Sequence, residues 1–569
     1  MISRRAFLQV AAAAGLLAGG GGLVRAAAQQ KIRQDDLLRF TPKGQVTLLF
    51  MADTHAQLKP IYFREPSVNL GVGEARGKLP HLCDTELLAA LDVPRQSLEA
   101  YMLSSADYEA MAQTYGRVGG MDRMATLVSA IRAERGSERV LLLDGGDALQ
   151  GSYTALISRG ADMISVMQQL GVTATTGHWE FTLGSQRVTE LFGNLHVKGS
   201  SGIDFLANNI RDTDFEEPVF HALANYERGG LNIAVIGQAF PYTPIANPRW
   251  MMSSWVFGIR ERAMRRTVRA AREGGADIVV LLSHNGFDVD AKLAGRVEGI
   301  DVILTAHTHD ALPAPVRVGE TLLVAAGSHG KFLARLDLEV KGRRVTDHAF
   351  ALIPVLADAI TPDTQMTLLV DEIRRPHELM LDMELARTEG LLYRRGTFGG
   401  TLDDVICDAL LAQRDAEIAF SPGFRWGTTL VPGQAITWDD VYNATAITYP
   451  AAYRTPMSGA AIKGILEDVA DNLFNPDPYY QQGGDMVRVG GLGYTVNVDG
   501  AMGDRIENLH LLNSGRAIAA DATYIVTGWG SVSESTRGPP VWEIVGEHLG
   551  HNAVIRPQPR AAVKVVRGS

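Results

Sequence analysis

The chain has 569 residues, which is enough for two or three domains at roughly 100–200 residues per domain. Hydrophobic residues make up 46% and charged residues 21% of the sequence, a composition that excludes intrinsic disorder and a membrane protein with many spans. The 54 Lys and Arg against 64 Asp and Glu give a net charge of −10, so we expect no nucleic-acid partner, because binding to phosphates needs clustered positive charge. The two cysteines, Cys83 and Cys407, are too few for a disulfide framework or a thiolate metal site.

The first residues have the pattern of an export signal. Arg4 and Arg5 precede an apolar stretch over residues 10–17, and the alanines at 26–28 suit a signal peptidase; this pattern resembles a twin-arginine signal. The alternatives are a short N-terminal helix or a membrane anchor, but a span needs about 20 strongly apolar residues and glycines dilute this stretch. We therefore expect a signal peptide over residues 1–28, a periplasmic protein exported by the twin-arginine pathway, and no stable membrane insertion.

The next part of the chain alternates between short apolar runs and helical patterns. The helical patterns over residues 122–134 and 261–272 each place apolar residues on one helix face. Such alternation predicts an α/β or sandwich core. The runs that predict buried strands cover residues 46–51, 140–143, 233–236, 278–282 and 302–304.

A different pattern separates the two halves of the chain. Residues 361–390 have leucines and isoleucines at helical spacing, which we interpret as part of a linker helix over 358–398. This linker would join an N-terminal domain over 40–357 to a C-terminal domain over 399–569. The C-terminal domain begins with a predicted amphipathic helix over 402–411 and continues with turns and alternating strands.

Four of the predicted strands end in histidine or aspartate. Each residue alone has an ordinary interpretation as a solvated strand end or a turn, and an Asp-x-His pair is common by chance. Together they fall at strand ends, where an open α/β sheet builds its ligand sites. Imidazole and carboxylate ligands without sulfur suit manganese, zinc or iron, and this many ligands can serve two ions that share a carboxylate. The residues are Asp53, His55, Asp147, His284, His307 and His309.

The order of these motifs resembles that of the calcineurin-type metallophosphoesterases, and most closely the 5′-nucleotidase family. A Gly-x-x-Glu-Phe segment at 177–181 completes the motif series, and the strand at 416–420 with Gly423-Phe424-Arg425 is similar to a strand and Gly-x-Arg loop of that family. The resemblance implies an α/β fold: a metallophosphoesterase-type β-sandwich flanked by helices, then a second α/β domain of the 5′-nucleotidase C-terminal type. It also implies that Asp147 bridges two ions. One ion would be held by Asp53, His55 and His309, and the other by His178, His284 and His307.

One motif departs from the nucleotidase pattern. The family's Gly-Asn-His-Glu-Phe-Asp reads Gly-His-Trp-Glu-Phe-Thr at 177–182, so His178 takes the place of a metal-binding asparagine. Trp179 and Thr182 replace a His-Asp dyad that assists an alkoxide leaving group. Loss of activity is one interpretation, but every metal position still holds a competent ligand. A sulfur leaving group needs no proton donor, because a thiol has a pKa near about 8.5, so changed chemistry fits better.

With the twin-arginine start and the segment 482–491, this motif resembles the SoxB family of sulfate thiohydrolases. The resemblance implies two manganese ions, with zinc or iron as alternatives. It also implies a substrate, a cysteine S-thiosulfonate on the swinging peptide of the carrier SoxYZ. We expect hydroxide held between the ions to attack the terminal sulfonate, releasing sulfate and leaving a persulfide. Asp147, His178 and Trp179 are the expected catalytic residues.

Three residues of the C-terminal half are candidates for substrate binding. The guanidinium groups of Arg425 and Arg488 match tetrahedral oxyanions, and Asp485 would orient an arginine, although each could instead form a surface ion pair or close a turn. Two other functions remain open at this point. A periplasmic 5′-nucleotidase or related phosphoesterase is compatible with the C-terminal domain, and a non-catalytic carrier-binding protein would keep a structural metal without releasing sulfate.

Overall fold

The computed structural model describes residues 32–558, 560 and 562–567. The predicted signal peptide lies outside these residues. Within the part of the chain that the structure describes, no helix combines the length and apolarity needed to cross a membrane.

The N-terminal half contains two six-stranded sheets, in the orders β14-β13-β1-β2-β3-β4 and β11-β12-β10-β9-β7-β6. β1 lies parallel to β2 and antiparallel to β13, and β7, β9, β10 and β12 are parallel to one another. The strands of this half are β1 (Val46–Met51), β2 (Val140–Asp144), β3 (Ala174–Thr175), β4 (Asp204–Phe205), β5 (Arg211–Asp212), β6 (Leu223–Arg228), β7 (Leu231–Gln238), β8 (Trp255–Val256), β9 (Ile278–Ser283), β10 (Val302–Thr305), β11 (Val316–Val318), β12 (Thr321–Ala325), β13 (Phe332–Lys341) and β14 (Arg344–Pro354).

The two sheets pack face to face, with helices on their outer faces. In β1, Leu48 and Phe50 share a core with residues of β9 and β10, whereas Leu49 and Met51 face the helix Met121–Arg135. Because β1 is covered on both faces, all six of its residues are buried. This arrangement is the predicted helix-flanked β-sandwich. The helices of this half are Gln34–Leu37, Asp84–Leu91, Leu98–Leu103, Tyr108–Tyr115, Met121–Arg135, Tyr153–Ser158, Ala161–Leu170, Ser185–Phe192, Thr243–Ala246, Glu261–Glu273 and Phe287–Ala294.

The C-terminal half is a second α/β unit with smaller sheets. Its strands are β15 (Glu384–Thr388), β16 (Ile418–Ser421), β17 (Ala435–Thr437), β18 (Tyr453–Ser458), β19 (Arg488–Gly490), β20 (Leu492–Asn497), β21 (Ile506–Leu511), β22 (Thr523–Gly528), β23 (Val554–Ile555) and β24 (Val563–Val566). A four-stranded sheet has the order β18-β22-β16-β19, and two three-stranded sheets have the orders β17-β15-β23 and β21-β20-β24. Its helices are Thr401–Arg414, Trp438–Thr445, Gly459–Leu473 and Val541–His551.

The predicted linker helix over 358–398 is wrong. The segment forms a helix over Thr364–Arg374, a short helical turn over Glu378–Leu381, and then β15 (Glu384–Thr388). Pro376 follows the end of the first helix, and proline disfavours helical backbone at the residue before it and lacks the N–H of a helix interior. β15 pairs with β17 and β23, so the C-terminal sheets already include residues that we had placed in the linker.

Candidate metal centre

The seven residues predicted as metal ligands lie together at one edge of the sandwich. They follow β1, β2, β3, β9 and β10, and the strands β1 and β2, like β9 and β10, run parallel, so their carboxyl ends share an edge. All seven side chains are buried. Five of them also have φ between +46° and +76°, a left-handed conformation that side chains rarely adopt, and such strain is typical of functional sites. These five are Asp53, His55, Asp147, His307 and His309.

The seven residues form two groups that share Asp147. In each group, one potential ligand atom of every residue lies within 4.8 Å of those of the others. Asp147 Oδ2 lies 3.1 Å from His284 Nε2 and 3.3 Å from His178 Nδ1. The Nε2 atoms of His55 and His309 are 3.1 Å apart. The groups are Asp147, His178, His284 and His307 on one side, and Asp53, His55, Asp147 and His309 on the other.

Four groups of the site have pKa shifts that favour cation binding. Burial lowers the pKa of His55 to about 4 and lowers the pKa values of His307 and His309 well below the usual range, so these imidazoles are neutral and present a lone pair. Burial acts to raise the pKa of Asp147, but His284 and His178 outweigh it, and the pKa lies well below the usual range. Asp147 is therefore a carboxylate although its side chain is buried.

The chemistry of the donor set fits two metal ions. His309 Nδ1 is a buried ring nitrogen without a hydrogen-bond partner. His55 Nδ1 faces the acceptor Gln150 Oε1, so the neutral His55 ring presents the lone pair of its Nε2 toward His309 Nε2, 3.1 Å away. A metal cation bound between these ring nitrogens would accept their lone pairs. Five imidazoles and two carboxylates without sulfur suit manganese, zinc or iron.

Four of the imidazoles have a second ring nitrogen held by another group, which fixes the ring orientation. His284 Nδ1 lies 2.6 Å from the carbonyl oxygen of Gly145, and His55 Nδ1 lies 3.2 Å from Gln150 Oε1. His178 Nε2 lies 3.1 Å from the side-chain amide of Asn247. His307 Nε2 lies 3.0 Å from the carbonyl oxygen of Gln482. The sequence reasoning missed Gln150 and Asn247, because neither belongs to a recognisable motif.

Trp179 lies beside this centre, in an aromatic wall shared by the two halves. Its backbone N–H donates to Asp147 Oδ1 at 2.8 Å, and its buried ring meets the rings of Phe424 and Trp426 edge-on, each at 4.9 Å between centroids. Thr182 donates its hydroxyl hydrogen to the carbonyl oxygen of Trp179 at 2.8 Å. The positions of the expected His-Asp dyad therefore hold an apolar ring and a hydroxyl that is bound to the backbone.

A cleft between the two halves is lined by Thr308 and Asp310, on either side of His309, but by none of the seven predicted ligands. Arg425 lies on its wall: Nε donates to Asp485 Oδ1 at 3.3 Å and Nη2 to the carbonyl oxygen of Gly484 at 2.5 Å. Its Nη1 is buried without a hydrogen-bond partner, so the guanidinium keeps an unused donor. The titratable residues that line the cleft are His81, Asp288, Asp310, Arg395, Arg425 and Asp485.

Arg488 does not lie on the wall of the cleft, which corrects its predicted contact with substrate. Its side chain is 2% exposed. The guanidinium forms ion pairs with Asp403 at 3.2 Å and Asp485 at 2.9 Å, and it donates to the carbonyl oxygens of Thr397 and Met486. Asp485 therefore accepts hydrogen bonds from both Arg425 and Arg488.

Another buried charge network at the centre was missed by the sequence reasoning. Arg395 donates to the carbonyl oxygens of His309 at 2.9 Å and Thr308 at 3.2 Å. It also pairs with Glu65 at 3.4 Å, which pairs with buried Lys331 at 2.9 Å. None of the three residues Arg395, Glu65 and Lys331 belongs to a recognisable motif.

Comparisons with known proteins agree with this architecture. Residues 386–539 match the family model of the 5′-nucleotidase C-terminal domain. A 5′-nucleotidase from Bos taurus is 24% identical over 446 residues, which cover 69% of this chain and 73% of that protein. The structure of a 5′-nucleotidase precursor from Thermus thermophilus has a TM-score of 0.71 at 19% identity, over 92% of this chain and 99% of that one, and is similar in fold.

The structure of the sulfate thiohydrolase SoxB from Thermus thermophilus is similar at the level of sequence as well. It is 36% identical and superposes with a TM-score of 0.87, over 93% of this chain and 98% of that chain. Likeness of this extent covers both halves and the centre between them. The chain therefore belongs to the SoxB family of hydrolases, a branch of the 5′-nucleotidase family.

Proposed function

We propose that this hydrolase removes the terminal sulfonate from a cysteine S-thiosulfonate on the carrier SoxYZ, releasing sulfate and leaving a persulfide. The observation that carries the proposal is the pairing of an intact ligand set with the loss of the nucleotidase dyad. Trp179 occupies the place of a proton donor, and a persulfide leaving group needs none because its sulfur anion is already stable.

The two ligand groups would hold two manganese ions, with Asp147 shared between them. When bound, such ions act as Lewis acids and lower the pKa of water. The protein's own contribution is orientation: Gly145, Gln150, Asn247 and Gln482 hold the imidazoles in place.

The cleft would hold the anionic end of the substrate and the narrow carrier peptide. Arg425 has a free buried Nη1 with which to bind a sulfonate oxygen, and Asp485 holds its Nε in place. Trp179 and Phe424 present apolar surface beside the ligand groups, which would exclude water from the sulfur chain. A carrier outside the cytoplasm requires export, so the proposal includes a periplasmic location reached through the predicted twin-arginine signal.

The test is a rate comparison on two substrates. The chain from residue 29 onward is loaded with manganese and mixed with a thiosulfonated carrier peptide or with AMP, and sulfate or phosphate is measured over time. We expect sulfate release and little phosphate release. Efficient AMP hydrolysis without sulfate release would favour a nucleotidase, and full metal loading with neither product would favour a non-catalytic carrier-binding protein.

A pair of variants tests the role of Arg425. Arg425→Met should raise KM for the thiosulfonated peptide strongly, because it removes the cation on the cleft wall. Arg454→Met is the matched control: this arginine belongs to the same half, is partly exposed and bonds the carbonyl oxygen of Arg414 rather than a cleft residue. Equal effects of the two substitutions would contradict the assignment.

A further inference from the structure

The partners that orient the metal-binding histidines converge on the C-terminal half. His307 Nε2 lies 3.0 Å from the carbonyl oxygen of Gln482, which belongs to the C-terminal half. The carbonyl oxygen of His309 accepts from Arg395 of the same half at 2.9 Å. Two of the predicted ligands therefore contact the other half of the chain directly.

Two more histidines reach the C-terminal half through one intermediate side chain. Gln150, whose Oε1 lies 3.2 Å from His55 Nδ1, donates through Nε2 to the carbonyl oxygen of Ala446 at 2.7 Å. Asn247, which holds His178, accepts from the Tyr449 hydroxyl at 3.0 Å. Gln150, Asn247 and Tyr449 are all buried while the halves are docked, so water does not compete for these hydrogen bonds in the docked arrangement.

His284 is the exception among the five histidines, because its Nδ1 is held by Gly145 of the N-terminal half. The N-terminal half supplies every ligand atom, but both ligand groups contain a histidine whose ring orientation depends on the C-terminal half: His55 in one group, and His178 and His307 in the other.

We infer that metal binding and docking of the two halves are thermodynamically coupled, and that Tyr449 and Gln150 are positioning residues that transmit the coupling. Groups that orient metal ligands typically contribute 10- to 100-fold to metal affinity. Linkage is reciprocal, so bound metal must strengthen the docked arrangement by the same factor by which docking strengthens metal binding. The halves of the loaded protein then stay together, and substrate enters through the cleft between them. The inference rests on the proposed metal site but not on the proposed substrate.

The first measurement is manganese affinity of the full-length mature chain, by competition with a chelator. Tyr449→Phe removes one hydroxyl that orients Asn247, and Gln150→Leu removes both bonds between His55 and Ala446. Each should lower manganese affinity about tenfold or more. Tyr524→Phe is the matched control, since this buried tyrosine of the C-terminal half also loses one hydrogen bond, from the Ala519 N–H at 2.9 Å, but lies outside the site.

The second measurement needs no variant and no substrate. Hydrogen exchange is followed in the wild-type chain with and without manganese, at the Thr429 N–H, which donates across the halves to the carbonyl oxygen of Tyr62 at 2.8 Å. Manganese should slow exchange there by about tenfold or more, and should leave Val526 in the centre of the C-terminal sheet unchanged. Equal manganese affinities of Tyr449→Phe and Tyr524→Phe would overturn the inference, and so would exchange at Thr429 that does not respond to manganese. Neither outcome depends on whether sulfate is released.

Discussion

Gly483 lies where a single added methyl group would disturb a contact that orients a metal-binding histidine. The effect on metal binding can then be compared with the effect on the stability of the loop. A Cβ at this position would lie 2.4 Å from His307 Nε2 and 2.8 Å from its Cδ2. Carbon contacts are normally about 3.5–4.0 Å, so the His307 ring or the loop must move by roughly 1 Å. Either movement breaks the 3.0 Å contact between His307 and the Gln482 carbonyl oxygen.

Gly484 provides a matched control for the Gly483→Ala variant. Both glycines have positive φ, +69° and +83°, so alanine at either position adds about 1–2 kcal/mol of backbone strain. A Cβ at Gly484, however, meets only the Gly423 carbonyl oxygen, at 3.8 Å. The two variants should lose similar amounts of folding stability and differ in metal binding.

The expected difference can be stated as an affinity. Disturbing a group that orients a metal ligand weakens binding about 10- to 100-fold, which is about 1.4 to 2.7 kcal/mol. Equilibrium dialysis with manganese, followed by elemental analysis, should show one weakened ion in Gly483→Ala and two retained ions in Gly484→Ala. If both variants bind two ions with equal affinity, the orientation of His307 by the loop is not important for the site.

The remaining predictions concern other parts of the molecule. Asp147→Ala should lower occupancy of both ions, because its carboxylate belongs to both ligand groups; elemental analysis that finds two retained ions would contradict the shared role. Arg488→Met should lower the free energy of unfolding by about 3 kcal/mol or more, because it leaves two carboxylates buried with fewer partners; denaturant unfolding checks this. Burial lowers the pKa of His81, but the carboxylates of Asp288 and Asp310 outweigh it and raise the pKa. The interaction of protonated His81 with Asp288 therefore stabilises the folded state fully below the ordinary histidine pKa, and this contribution disappears as pH rises through the raised pKa of His81. Asp288→Asn should consequently destabilise the protein more near about pH 5.5 than near about pH 9.5. An equal loss of stability at both pH values would contradict this prediction.

The sequence was sufficient wherever the deciding interactions are local or follow a motif. The apolar run over residues 46–51 predicts a strand buried on both faces, and the structure confirms β1 over those residues. The order of the Asp-x-His, Gly-Asp, Gly-His-Trp-Glu-Phe, Ser-His and His-Thr-His motifs places seven side chains at one sheet edge, because parallel strands share their carboxyl ends. Pro376 is also evidence in the sequence against a continuous helix over 358–398, because proline interrupts a helix, but the spacing of the leucines on both sides of Pro376 favoured one.

Only the tertiary structure decided which groups support the site. Arg425 and Arg488 are alike in the sequence, yet one has a free Nη1 on the cleft wall and the other is enclosed by Asp403 and Asp485. Gln150 reaches the carbonyl oxygen of Ala446, a residue 296 positions away, and Gln482 reaches His307 over 175 positions. Contacts between residues so far apart depend on how the two halves pack. They leave no periodicity or spacing in the chain, because hydrophobic patterns record which face of an element is buried and not which partner covers it.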